Sequence, residues 1–345
     1  MIGGVHLNDY FKSVACKEGE IRECYSKPLE LGRSDLVEMM VLDGCFIIEW
    51  FHVMGSILEP DKYDPIIYFP GIFRLVITDF IQLENQIPFF VLNILYELSK
   101  SPEDPRNLQT PVFDSYNKAF CWEEQVMRPY YDIPNSRHLL HLLHSSFAHF
   151  PTESLEDVRY DYRRLNYSAK ELKLVGIKFK PRMSTRFLDI SFTNGVLKVP
   201  GINLDDTMVA FLGNCFAFEQ GGHMRMSQNI TCYVTLLGKL ISNSEDAALL
   251  SELQIMKDIY FGSNDAVVRF FWDMGREMMF DIRRSYVTKL LLDMEEYTND
   301  QWHLRLTRMK LLIVSSIRCY AAAGAHGRPN HICGDCLLPP PEVNE

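Results

Sequence analysis

Apolar residues recur at helical spacing through most of this chain. Between Ser34 and Met54, Leu36, Val37, Met40, Val41, Cys45, Ile47, Ile48 and Phe51 cover more than one helical face, which predicts a central, buried helix. Ser34 is its expected N-cap, and Asp35 suits the positive end of the helix dipole. Ile87-Pro88 marks a fresh start, because the residue before proline avoids the α region while proline suits a first helical turn. The helix that follows, from Pro88 to about Ser99, is expected to bury Phe89, Leu92, Leu95 and Tyr96. Further helices are expected at about 112–128 and 134–148, and Ser168-Ala-Lys-Glu171 reads as a capping box that opens a short one.

The period changes to two from Phe187 to Val199. Phe187, Asp189 and Ser191 alternate with Leu188, Ile190 and Phe192, the second set being expected to face the core. Asn194-Gly195 supplies the positive φ angles of a tight turn, and Val196–Val199 runs back. Pro200-Gly201 ends that arm, and Ile202–Leu204 reads as a short third segment. After Asp205-Asp206 the pattern is helical again, with pieces expected at 207–219, 228–242, 244–257, 264–297 and 300–319. A hairpin alone is marginal, so it must pack on helices. The fold class is therefore α+β, mostly α-helical, with a small antiparallel β-hairpin packed on helices. One domain is expected over 1–320, made of a helical half, 1–150, and a second part, 151–320, holding a basic segment, the hairpin and more helices. Residues 321–345, rich in Gly, Pro and Cys, read as a disordered tail.

Composition narrows the function classes. The chain has 345 residues, 47% hydrophobic and 23% charged, with a formal net charge of −10. An acidic globular chain lacks the dominant basic footprint of a nucleic-acid binder, so no nucleic-acid partner is expected. Residues 1–150 carry a net charge of −9, yet Arg159 to Arg186 holds nine basic and two acidic side chains. That run (Arg159, Arg163, Arg164, Lys170, Lys173, Lys178, Lys180, Arg182 and Arg186) reads as a solvated linker, or as a contact with an anionic membrane surface. Nine cysteines are scattered without pairing pattern, and no signal peptide is seen, which suggests reduced core thiols in the cytoplasm. The apolar stretch Leu311 to Ala325 is too short for a membrane span and carries Arg318, so this chain is expected to be cytoplasmic or peripheral.

Several blocks carry a family resemblance. Glu38-Met-Met-Val-Leu-Asp-Gly-Cys-Phe-Ile-Ile-Glu49 and Leu83-Glu-Asn-Gln-Ile-Pro-Phe-Phe-Val-Leu92 resemble the two hallmark blocks of the land-plant family called domain of unknown function 247. Ala169–Lys180, Phe187–Leu197, Asp205-Asp-Thr207 and Phe216-Ala-Phe-Glu-Gln220 resemble its later blocks, in order and with compatible spacing over residues 20 to 310. The resemblance implies a non-enzymatic protein with a protein partner, from a family typically anchored by one C-terminal transmembrane helix, some members of which are implicated in pollen–stigma self-incompatibility. Two departures stand out: the family's Tyr-His-His block and its terminal Pro-Trp motif with an apolar span are not found, so both ends read as truncated.

Three constellations invite a chemical reading. His138, His141 and His144 recur every three residues, with His149 nearby, and imidazoles on one helical face can share a metal. The intervening Leu139, Leu140, Leu142 and Leu143 fit equally an amphipathic helix of satisfied histidines, which is the preferred reading. Cys333-Gly-Asp-Cys336 with His331 and Cys319 could form a zinc knuckle, but a second cysteine pair is missing. Glu84-Asn-Gln86 and Glu219-Gln220 pair carboxylates with amides; capping and bridging of segments is preferred over catalysis, because no base and oxyanion donor accompany them. Within the central helix, Gly44 is expected to permit close helix approach and Asp43 to be paired in the core. No P-loop, Gly-x-Gly-x-x-Gly, His-Glu-x-x-His or Gly-x-Ser-x-Gly pattern occurs. Catalytic residues and cofactors are therefore not expected. The leading expectation is a non-catalytic recognition or interaction protein, with a metal-dependent or hydrolytic enzyme and a peripheral membrane protein as alternatives.

Overall fold

The computed structural model describes residues 5–55, 64, 66, 69, 71–120, 135–147, 167–184, 186–221, 227–257, 260–275 and 285–301. The chain divides into two units, Met1–Glu295 and Glu296–Glu345, and the elements below belong to the first. The expected tail and the possible zinc knuckle lie outside the described residues, as do the apolar stretch 311–325, Arg159, Arg163, Arg164 and His149.

Three helices open the chain: α1 (Leu7–Ala15), α2 (Glu18–Glu23) and α3 (Arg33–Met54). As expected, α3 is central and buries residues round most of its circumference, among them Leu36, Met40, Ile48, Trp50 and Phe51. Its N-cap is Gly32 rather than Ser34, and no side chain caps it. The extended Gly32 already presents its carbonyl to the Leu36 amide at 3.0 Å, which leaves Ser34 inside the first turn. Asp43 is exposed rather than paired in the core. Gly44 does mark a close approach: a Cβ there would strike the Cδ1 of Leu95 on the neighbouring helix α5 (Phe89–Ser99). That helix starts where Pro88 predicted. Between them comes α4 (Ile72–Ile81), which the hydrophobic pattern left unassigned.

Helices α6 (Gln109–Phe120) and α7 (Leu139–Phe147) follow among the described residues of the first half; the part of the expected 112–128 helix beyond residue 120 lies outside the described residues. The α4 helix reaches across to the second half, packing on α9 (Asp206–Gly221). Arg74 of α4 meets Asp206 at 2.9 Å and Asp205 at 3.5 Å. Asp205 also accepts from the Met208 amide at 2.9 Å, so the same carboxylate that pairs with α4 caps the first turn of α9.

Ser168 and Glu171 form the expected capping box at the start of α8 (Ala169–Val175), and Gly176, at φ 109°, closes it in the left-handed conformation that favours glycine. The chain then enters a three-stranded sheet of order β1-β3-β2, with β1 (Lys178–Arg182), β2 (Ser191–Thr193) and β3 (Val196–Pro200). The β2–β3 hairpin is antiparallel, and Asn194 and Gly195 take φ 50° and 76° as the turn demands. Its first arm is shorter than expected. Phe187 and Leu188 are both buried in a turn, and Ile190, Ser191 and Phe192 are all half-buried, so the strict inward and outward alternation fails there. The strand β1 is an addition: it pairs in parallel with β3, setting Phe179 against Leu197 and Lys180 against Lys198. Pro181 fits because β1 is an edge strand.

The expected third segment is β4 (Ile202–Asn203), which pairs in parallel with β5 (Met256–Lys257) as a separate two-stranded sheet. Because β5 takes those residues, the helix expected over 244–257 ends early, as α11 (Ser244–Glu252). Before it comes α10 (Asn229–Leu240), and after it α12 (Asn264–Gly275), which packs on both. The single helix expected over 264–297 is interrupted: residues 285–287 form a bend and turn before helix resumes at 288.

The two halves share an aromatic core. Phe211 of α9 stands 5.4 Å from Phe120, 5.6 Å from Phe147 and 6.3 Å from Phe187, centroid to centroid. Phe187 in turn meets Tyr233 of α10 at 5.1 Å. Each such ring contributes about 1.5–3 kcal/mol by burial. The outcome is an α+β protein, mostly helical, with a small mixed sheet.

Candidate functional site

The groups that could carry chemistry converge where α7 meets α9 and the start of α10. Glu219, one of the carboxylates singled out by sequence, is buried on the last turns of α9. Its Oε1 accepts from the Ile230 amide at 3.1 Å and its Oε2 from the Thr231 amide at 2.7 Å. It therefore caps α10 from another helix, with its negative charge at the positive end of the dipole. The Nε2 of His144 lies 2.6 Å from Oε1; with the carboxylate accepting throughout, Nε2–H is the donor. Both side chains are buried, at 2% and 0% exposure. Gln220 adds a bond from its amide to the Thr231 hydroxyl at 3.2 Å. The Nδ1 of His144 is buried without a partner, a polar cost that the rest of the cluster offsets.

The other two histidines serve the start of α7. His138 Nδ1 accepts from the His141 amide at 3.1 Å, and His141 Nδ1 accepts from the Arg137 amide at 3.0 Å. All three rings pack on Phe218, with centroids at 5.0, 5.6 and 5.5 Å. The face that sequence spacing brought together is thus filled by a phenyl ring. Metal coordination through Nδ1 would unmake the helix start. Among the described residues no group of three His, Cys, Asp or Glu side chains is placed to hold a metal ion.

Burial, followed by the charges of the neighbouring imidazoles and Arg137, holds the pKa of His138 down at about 3 and that of His141 at about 4. Both are therefore neutral in the folded chain near pH 6, while the unfolded chain protonates them below about 6.5. Stability falls as pH drops from about 6.5 towards 4, because the unfolded state binds more protons there. The contribution is about 1 kcal/mol per pH unit for each histidine, after allowance for partial exposure. Urea midpoints measured at pH 7, 6 and 5 should fall less steeply in the His138→Gln, His141→Gln chain than in the wild type.

The amides preceding Pro88 also bridge segments. Gln86 Oε1 accepts from the Leu140 amide at 3.0 Å, and its Nε2 donates to the Phe80 and Gln82 carbonyls at 2.9 and 2.6 Å. Glu84 is exposed. One buried carboxylate escaped sequence reading: Asp246 accepts from the Lys170 amide at 2.9 Å and the Ser242 amide at 3.3 Å, joining α8 to α11. Its bond to Lys170 spans 76 residues and leaves no local signal, whereas its bond to the Ser242 amide closes within one turn at the Asn243-capped start of α11.

The basic run resolves into distinct fates. Lys170 pairs with Glu245, and Arg182 meets Asp189 at 2.8 Å. Lys178, Lys180 and Lys198 instead stand exposed on the solvent face of the sheet. Register places Lys180 directly beside Lys198 across β1 and β3, and among the described residues neither forms an ion pair. Among the described residues, too, no helix is long and apolar enough to cross a membrane.

Comparison with known proteins places the chain. A UPF0481 protein of Arabidopsis thaliana is 32% identical over 320 residues, covering 87% of this chain and 66% of that relative. The chain thus spans about two thirds of the relative's length. No solved structure matches it significantly. The family model described as plant protein of unknown function, DUF247, matches residues 3–322, in agreement with the resemblance carried by the hallmark blocks. On that match, which takes in nearly the whole chain, the protein belongs to the DUF247 family of plant proteins.

Proposed function

We propose that the chain is a non-catalytic recognition or interaction protein, and that the solvent face of its three-stranded sheet takes an acidic partner protein. The carrying observation is the in-register pair Lys180 and Lys198, flanked by Lys178, all exposed and without a carboxylate partner among the described residues. Like charges directly opposed across strands destabilise a sheet. A set of carboxylates from outside relieves that repulsion. The chain as a whole is acidic, with a net charge of −10, so this face is a local positive field that orients an approaching anionic group. The part in pollen–stigma recognition implied by the resemblance is a protein–protein function of this kind and belongs to the same proposal.

Support for a metal-dependent or hydrolytic enzyme is thin, because His144 is committed to Glu219 and the other two histidines to backbone amides. A second reading, a peripheral contact with an anionic membrane through the basic segment Arg159–Arg186, draws on Met183, which is fully exposed at the end of β1 beside these lysines. An apolar side chain next to basic ones suits the headgroup region.

Two probes separate the readings: a fluorescein-labelled Glu-rich peptide, and phosphatidylcholine vesicles with and without phosphatidylserine. Peptide binding at low salt that weakens steeply by about 0.15 M, as screening requires, is the expected result. Binding to phosphatidylserine vesicles alone would replace the acidic protein with a membrane. Binding to neither would overturn the proposal.

A further inference from the structure

The edge strand β1 leads out of the sheet into Met183 and Ser184, where the backbone is irregular. Met183 is fully exposed and Ser184 half-buried. The Ser184 hydroxyl donates to Asp189 Oδ2 at 3.1 Å, and its oxygen accepts from the Arg186 amide at 3.3 Å. Arg182 meets Asp189 Oδ2 at 2.8 Å, so guanidinium and hydroxyl share one carboxylate oxygen. These bonds, with that of the Ser184 amide to the Arg182 carbonyl, all close within five residues. Lifting Ser184 into a cleft therefore breaks none of its bonds to a distant element. In the sequence, Arg182-Met-Ser184-Thr-Arg186 is the one place where a serine or threonine has arginine two residues away on both sides. Lys178 and Lys180 precede it, and by strand alternation they share a face with Arg182.

We infer that Ser184 is a phosphorylation site for a protein kinase with an acidic substrate groove, and that its phosphate switches off the lysine face. Only the second half rests on the reading of that face as the partner surface. In the transfer, Ser184 Oγ bonds to the γ-phosphorus of ATP as the bond to the ADP oxygen breaks, and the hydroxyl proton passes to a base of the kinase. Lys178, Lys180, Arg182 and Arg186 supply the charge that an acidic groove selects. The phosphate carries a charge of about −1.5 to −2 near pH 7. Its ester oxygen no longer donates to Asp189, and the two anions repel each other. Arg182, already at that carboxylate, pairs with the phosphate instead, in the bidentate geometry that phosphates favour. Against Lys178, Lys180, Arg182 and the in-register Lys198, the added charge cancels a large part of the local positive field, which turns away an anionic partner.

The test uses the whole folded chain, ATP and a kinase that selects serines between arginines, the catalytic domain of protein kinase C. Phosphopeptide mass spectrometry should place the phosphate on Ser184, and the Ser184→Ala chain should lose that incorporation. The wild-type map decides the site even if the variant fails to fold. No phosphate on the chain, or phosphate on Thr185 alone, would overturn the site. Fluorescence anisotropy with the Glu-rich peptide should then show roughly tenfold weaker binding by the phosphorylated chain than by the untreated one, restored by alkaline phosphatase. Equal binding by the two would overturn the switch. An untreated chain that binds no peptide would refute the sheet-face reading, and with it the switch, while the phosphate map still decides the site.

Discussion

Glu219→Ala is expected to destabilise the fold by about 3–5 kcal/mol, a large share of the total stability of a typical protein. The substitution removes the acceptor for two backbone amides at the start of α10 and for the buried His144 imidazole. Each orphaned buried donor costs about 1–3 kcal/mol, and the imidazole is worst placed because its Nδ1 already lacks a partner. Glu219→Gln keeps the shape but turns one oxygen into an NH₂ group that opposes either the Thr231 or the Ile230 amide, so it should still cost about 1–3 kcal/mol. Urea denaturation followed by circular dichroism measures both. The double variant with His144→Ala tells more than either single one. If the pair acts as one unit, the second substitution adds far less than its own single effect. Additive losses would mean that Glu219 serves α10 and His144 independently.

Phe211→Ala should be comparably severe, at about 3–5 kcal/mol. Phe211 is fully buried and meets rings from α6, α7 and the turn before the hairpin. Truncation leaves a cavity that three separate elements would have to close together, which close packing resists. Phe211→Leu retains most of the volume and should lose no more than about half as much. A chemical denaturation series across the two variants provides the check. Equal effects of Ala and Leu would show that the ring shape, rather than the filled volume, holds these elements in place.

Local signals in the sequence were reliable where short-range physics decides the structure. Ser168 and Glu171 cap α8 because both bonds close within one turn. Asn194 and Gly195 form the hairpin turn because few other residues tolerate two successive positive φ angles. Ile87-Pro88 marks the start of α5 through local sterics alone. Ser34 is the local exception, displaced as N-cap because the extended Gly32 already serves the Leu36 amide; the failed strand and helix-end expectations depend on distant partners. The strand β1 exists through parallel pairing with β3, and its Lys-Phe-Lys-Pro-Arg run, with one buried side chain, carries no strand signature of its own. Met256 and Lys257 leave the expected helix because β4, more than fifty residues earlier, offers them a ladder. The same holds at the candidate site. His144 and Glu219 were both visible as polar residues in apolar surroundings, but the bond that joins them spans 75 residues. Spacing placed three histidines on one face; only the fold shows that Phe218, from another helix, fills it.

The lysine face carries the proposed function, and Lys180→Glu probes it in two opposite directions. The substitution converts the in-register Lys180 and Lys198 pair into an opposite-charge pair, which should stabilise the sheet by roughly 0.2–1 kcal/mol. It also reverses one charge on the surface that meets an acidic partner, which should weaken binding of the Glu-rich peptide roughly tenfold. Residues selected for binding rather than stability show this opposition. Fluorescence anisotropy titration of the labelled peptide, run beside a urea melt of the same preparation, is the most direct measurement. The predicted result is a chain that is slightly more stable and binds roughly ten times more weakly. Undiminished peptide binding by the Lys180→Glu chain would contradict the assignment of this face.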